Sequence, residues 1–256
     1  MSEALRAEWT KLRTLSGTGW LLFGAVVLTV AVSTAVAASV HVASGTGQDP
    51  TKLALSGIYL GQTVFAALAV LTISEEYGTG MIRTTLTATP RRLILLAAKA
   101  VNVAGLTFVA SCLAVSGCLL VGRLLLPGSG LDPAHGYALV SLSHSPTLRA
   151  AVGSIIYLVL VALLSIGVAT AIRDTAVSIG MVLALLYLPP ILAQTVSDPL
   201  RRHLEQIAPM TAGLAIQATT DLRSSPIAPW AGLGVLAAWA TVSLLLGGMV
   251  LRLRDA

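Results

Sequence analysis

Apolar residues in this chain come in long unbroken runs, without the spacing of amphipathic helices or strands. Six runs lie at 20–43, 53–74, 93–122, 148–172, 175–196 and 230–251, each long enough to cross roughly 30 Å of hydrocarbon as a helix. The third exceeds what a span needs, so it should tilt or project from the bilayer. Only Arg173-Asp174 separates the fourth run from the fifth, which predicts a tight antiparallel hairpin. The pattern is that of an all-α integral membrane protein with six transmembrane helices in a single transmembrane domain, 1–256.

The polar positions between the runs add three elements. Ahead of the first run, Leu5, Trp9, Leu12 and Leu15 step by four, three and three, leaving Arg6 and Arg13 off the stripe. Residues 1–19 are therefore expected to lie as an interfacial helix with Trp9 and Leu12 against the membrane. Gly17-Thr18-Gly19 would then let the chain turn into the first span. In 197–229, Leu204, Ile207 and Ala208, then Leu214, Ala215 and Ile216, predict two short helices broken at Pro209. Irregular backbone dipping into the outer leaflet there would need protein or water around it.

The third element is the most elaborate polar stretch, Ser74-Glu75-Glu76-Tyr77-Gly78-Thr79-Gly80-Met81-Ile82-Arg83, closing with Pro90-Arg91-Arg92. Gly78 and Gly80 permit a sharp turn, and Thr79 can cap a short helix that ends before Pro90. Such a helix, parallel to the membrane with a small apolar face, suits insertion into a groove on another protein.

Composition agrees with membrane immersion: 55% of residues are hydrophobic and 11% charged. The net charge is +5. With the N terminus inside, the inner segments carry Arg6, Lys11, Arg13, Arg83, Arg91, Arg92, Lys99, Arg173, Arg252 and Arg254. The outer ones carry Lys52, Arg123, Arg149, Arg201, Arg202 and Arg223. That bias predicts both termini in the cytoplasm. Ala35-Val36-Ala37 resembles a signal cleavage site, but the acidic, Trp-containing segment before the first run is a poor leader, so the first span is expected to be retained.

Several chemistries are missing. None of Lys11, Lys52 and Lys99 follows a glycine, so no phosphate-binding P-loop is present. His41, His135, His144 and His203 form no metal-binding spacing. Glu75-Glu76 lacks the arginine and later histidines of an intramembrane protease, and Ala114-Val115-Ser116-Gly117 lacks the first glycine of a rhomboid-type motif. No enzyme activity, metal site or nucleic-acid partner is expected. Cys112 and Cys118 project from different faces of one helix and cannot pair with each other.

Six spans, the interfacial helix with Glu8-Trp9-Thr10-Lys11-Leu12-Arg13, the segment Glu75 to Arg92 and the closing Arg252-Leu253-Arg254-Asp255-Ala256 resemble the ABC-2 family of ABC transporter permeases. The resemblance implies the membrane subunit of a bacterial exporter in the cytoplasmic membrane. Its cofactors, ATP and magnesium, would be held by a separate ABC ATPase, present in two copies. It implies a second permease chain as partner, identical or not, and a drug, antibiotic, peptide or lipid-like substrate. Residues 75–92 correspond to the coupling helix, with Glu75, Glu76, Tyr77, Gly78, Thr79, Gly80, Arg83 and Arg91 docking on the ATPase. The doubled glutamate and Gly80 depart from the family pattern.

The same resemblance directs the second and fifth spans toward the substrate path, so Tyr59, Gln62, Tyr187 and Gln194 are expected near it. Gly57-x-x-x-Gly61 would let backbones approach closely, and Pro189-Pro190 would kink the fifth span. Two other classes stay open: a secondary transporter or channel, and a membrane subunit that signals or confers immunity without transporting. The first should carry acidic residues well inside its spans, and none is found.

Overall fold

The computed structural model describes residues 16–40, 48–78, 92–129, 131, 137, 140–220, 222 and 226–253. Regular structure among them is entirely helical. In chain order it comprises α1 (Ser16–Ser39), α2 (Pro50–Ala54), α3 (Ile58–Gly78), α4 (Arg92–Leu125), α5 (Ser145–Ile172), α6 (Thr175–Ala193), α7 (Asp198–Ile207), α8 (Pro209–Leu214) and α9 (Pro229–Leu253). Short 3₁₀ turns follow α4 and α8.

Five of these helices are long and apolar enough to cross a membrane: α1, α4, α5, α6 and α9. The chain is a helical, multi-pass membrane protein by that measure. The apolar part of α3, Ile58–Ser74, is shorter, about 25 Å at 1.5 Å per residue. The run predicted over 53–74 is broken by a turn at Leu55–Gly57. The reason is a backbone group spent outside the helix: the Gly57 N–H donates to Ser33 Oγ of α1 at 2.9 Å. Asp49 caps α2, accepting from the N–H groups of Thr51 and Lys52 at 3.1 Å each, with Pro50 in the first turn.

Three expectations change at the helix ends. Gly17, Thr18 and Gly19 do not form a turn; they are the first turn of α1. The helix that reaches Ser74 does not stop there but continues through Glu75-Glu76-Tyr77 to Gly78, so any bend begins beyond it. Lys99, counted among the inner charges at the start of the third run, sits two turns inside α4, is buried, and its Nζ donates to the Thr72 carbonyl at 3.3 Å. That carbonyl belongs to the C-terminal part of α3, where helix carbonyls favour a cation. The interfacial residues Trp9 and Leu12 lie outside the described residues.

The hub of the bundle is α5. It packs against α3, α4, α6 and α9 and buries Tyr157, Leu158, Val161, Leu164 and Ile166 completely. Lipid tails are as apolar as leucine, so helices in a bilayer associate through close packing and hydrogen bonds. Accordingly the seams are lined with small residues. A Cβ at Gly57 or Gly61 would overlap Thr29 of α1; one at Gly167 would overlap the α9 backbone at Ser243; one at Gly247 would press on the Gly167 carbonyl. Cys118 extends the α1–α4 seam, with Ser33 Oγ donating to its sulfur at 3.2 Å; Cys118 is buried and Cys112 half-buried, both as free thiols.

The α5–α6 hairpin turns in two residues. Arg173 takes a left-handed conformation (φ 66°) with its N–H on the Ala169 carbonyl, and Asp174 caps α6 by accepting from Val177 N at 2.8 Å. α6 then runs through Pro189 and Pro190 without ending.

Close approach at Gly57 makes a direct test. Gly57→Val should destabilise the detergent-solubilised protein by about 1–3 kcal/mol in thermal unfolding followed by circular dichroism. Gly24→Ala, where an added methyl meets nothing within 4 Å, should leave the transition unchanged.

Candidate functional site

Where α3, α5, α6 and α8 meet, side chains that hydrocarbon would reject are gathered and paired. Gln62 of α3 has no exposed surface. Its Oε1 accepts from the Tyr157 hydroxyl of α5. Its Nε2 donates to the Tyr59 carbonyl at 3.0 Å and lies 3.3 Å from Met210 Sδ of α8. Tyr187 of α6 reaches across to the same turn of α3, its hydroxyl donating to the Tyr59 carbonyl and lying 2.8 Å from Thr63 Oγ1. An amide and two phenols are thereby satisfied without water, as an apolar surrounding demands.

Three of the four residues assigned to the substrate path from sequence, Tyr59, Gln62 and Tyr187, therefore belong to one cluster. The fourth, Gln194, is at the C-terminal cap of α6, exposed and apart from it. Gln62 is turned wholly inward within this chain, whereas the Tyr59 side chain is 37% exposed. Sequence reasoning passed over Tyr157, Thr63 and Met210. Tyr157 carried a readable signal, a lone phenol inside a run of aliphatic residues whose O–H must find a partner. Met210 carried none, because only tertiary packing brings α8 to α3.

α8 enters the bundle because its neighbours leave room for its backbone. Gly213 lies against the Tyr157 ring, and a Cβ at Gly232 of α9 would overlap the Ala212 carbonyl. Pro209, Met210, Ala212, Gly213 and Leu214 are all buried. The predicted break at Pro209 is where the exposed α7 ends and this inserted helix begins. In the irregular segment that follows, Arg149 donates to the Ala218 carbonyl, and the Gln217 side chain donates through Nε2 to Ser154 Oγ at 3.2 Å.

Asp49 fastens this end of the bundle. While capping α2 it also accepts from Thr219 Oγ1 at 2.7 Å, from Thr219 N, and from Thr220 N at 3.1 Å. Beside it Thr51 Oγ1 and Thr147 Oγ1 are 3.3 Å apart, joining α2 to α5. One carboxylate thus binds the turn before α3 to the segment after α8. The link from Asp49 to Thr219, 170 positions away, was not legible in the sequence.

Of the segment assigned to docking, Glu75, Glu76, Tyr77 and Gly78 form the helical end of α3, with side chains outside the described residues. Thr79, Gly80, Arg83 and Arg91 lie outside them altogether.

No protein-family model matches this chain, and no curated protein matches it.

Tyr157→Phe leaves the Gln62 oxygen buried without its donor and should cost about 1–3 kcal/mol. Adding Gln62→Leu should cost less than the two single changes summed, a coupling that unfolding of all four members of the cycle measures. Asp49→Ala should speed amide hydrogen exchange at Thr219 and Thr220, with a stability loss of about 1–2 kcal/mol.

Proposed function

We propose that this chain is the membrane-spanning subunit of an ATP-driven exporter of the ABC-2 kind, receiving force at residues 75–92 from a separate ATPase. In this reading α3, whose apolar part is shorter than the other spans and which is preceded by α2, is the second of six spans, and both termini face the cytoplasm. Two ATPase copies, carrying ATP and magnesium, act on two permease chains that enclose the path. The substrate class is a drug, antibiotic, peptide or lipid-like compound.

The observation that carries the reading is the continuity of α3. One unbroken helix joins the Glu75-Glu76 end to Gln62, across about 20 Å at 1.5 Å per residue. At its far end Gln62 contacts Tyr157 on the hub helix and Met210 on the inserted α8. A displacement applied at residues 75–92 is thus delivered as a rigid shift to the polar cluster, and through Met210 to the Asp49–Thr219 closure. Lys99, bonded near the α3 terminus, moves α4 with it. The least covered of the long helices, α1 and α6, leave apolar faces for the second chain and for lipid.

Reversal of charge tests the assignment. Glu75→Arg with Glu76→Arg should leave membrane insertion intact, abolish co-purification with a P-loop ATPase and eliminate nucleotide-driven substrate movement in liposomes. Undiminished transport by that variant, or labelling of residues 75–92 from the exterior, would refute it.

A further inference from the structure

Helix α7 differs from the spans in where its apolar residues lie. Those of α6 and α9 surround the helix, whereas α7 (Asp198–Ile207) gathers Leu200, Leu204 and Ile207, spaced four and three, into one stripe. Asp198, Arg201, Arg202 and Glu205 occupy the other side. There Arg201 pairs with Glu205 at 3.3 Å and with Asp198 at 3.8 Å. None of the helix is buried, and Leu200 and Ile207 are 52% and 59% exposed. α7 thus turns both an apolar and a charged face toward whatever surrounds the bundle.

What meets the apolar face is set by depth. Trp230, exposed in the first turn of α9, is of the residue type that settles at headgroup level. Trp239 lies nine residues further in, about 14 Å along the helix at 1.5 Å per residue. Its indole N–H donates to the Ile207 carbonyl at 2.9 Å, which tethers the end of α7 within the length of a span, where the surroundings are hydrocarbon. At its other end α7 follows α6, whose last turns expose Leu188, Ile191 and Leu192. The polar groups that border the stripe are already occupied. His203 Nδ1 lies 2.7 Å from the Pro199 carbonyl, and Gln206 Nε2 donates to the Pro226 carbonyl at 2.8 Å. The stripe therefore enters an apolar medium at little cost in unpaired polar groups.

We propose that α7 is an interfacial helix of the leaflet at this end of the bundle, with Leu200, Leu204 and Ile207 among the acyl chains and Asp198, Arg201 and Arg202 at the headgroups. The placement rests on the multi-pass membrane architecture and is independent of the permease reading.

Nitroxide labels test it. They are placed one at a time at Leu200→Cys, Arg202→Cys and Ile207→Cys in full-length protein carrying Cys112→Ala and Cys118→Ala, reconstituted into phosphatidylcholine vesicles. Collision with oxygen, which dissolves in hydrocarbon, is compared with collision with a water-soluble nickel chelate. Leu245→Cys, at an exposed position on α9, gives the acyl-chain reference. Labels at Leu200 and Ile207 should match that reference, with an oxygen-to-nickel ratio several-fold above that at Arg202. Should removal of Cys118 lower the helix content by circular dichroism, that residue is kept, since a fully buried thiol takes up no label. Nickel access at all three positions would mean that α7 stands in water and would overturn the proposal. Shielding of Leu200 and Ile207 from both reagents would mean that protein, a second copy included, covers the stripe, and would overturn it equally.

Discussion

Gln62 is a primary amide sealed inside an apolar bundle, and the arrangement of three helices around it follows from the need to keep it paired. Hydrocarbon supplies no partner for its carbonyl or its N–H groups, so protein must. The carbonyl is met by the Tyr157 hydroxyl, which places α5 against α3. The amide nitrogen is met by the Tyr59 carbonyl and the Met210 sulfur, which draws α8 inward from the bundle end. Tyr187 then closes on the same turn of α3 and brings α6 with it. These bonds are directional and selective, so they specify which helices meet and in what register, where apolar contact alone would tolerate sliding.

Close packing sets how near the helices come. Glycine on one helix faces backbone or a short hydroxyl side chain on the next: Gly57 and Gly61 on Thr29, Gly167 on Ser243, Gly232 on Ala212. With backbones in contact, modest polar groups suffice to join the seams. Ser33 both accepts the Gly57 N–H that breaks the second apolar run and donates to Cys118, binding α1 to α3 and α4. The short helix α2 is thereby detached from α3, and its N-cap Asp49 closes the bundle end onto Thr219 and Thr220.

Mechanically, the molecule has a stiff rod, α3, with polar fastenings at each end: Lys99 on the Thr72 carbonyl at one, Gln62 and its partners at the other. The inserted α8 is what a displacement of the rod would move, since it contacts the rod through Met210 and the hub through the Gly213–Tyr157 approach. On the opposite half of the bundle the α5–α9 seam is packed through glycines, and its outer margin is an apolar groove.

Much of the architecture was legible without coordinates, because transfer of apolar length into hydrocarbon depends on local composition alone. The long runs, the two-residue hairpin at Arg173-Asp174, the break at Pro209 and the close-approach glycines at 57 and 61 are each properties of a few neighbouring residues. What tertiary structure alone decided is every pairing between distant residues. Nothing local tells that Gly57 gives its N–H to Ser33 and so cuts a span short, or that Lys99 lies buried on α3 when it could have lain in a loop. The separation of Gln194 from Tyr59, Gln62 and Tyr187, and the meeting of Gln62 with Tyr157 and Met210, were equally hidden. A hydropathy pattern states how much polar surface a helix must hide; the partner that hides it is chosen by how the helices pack.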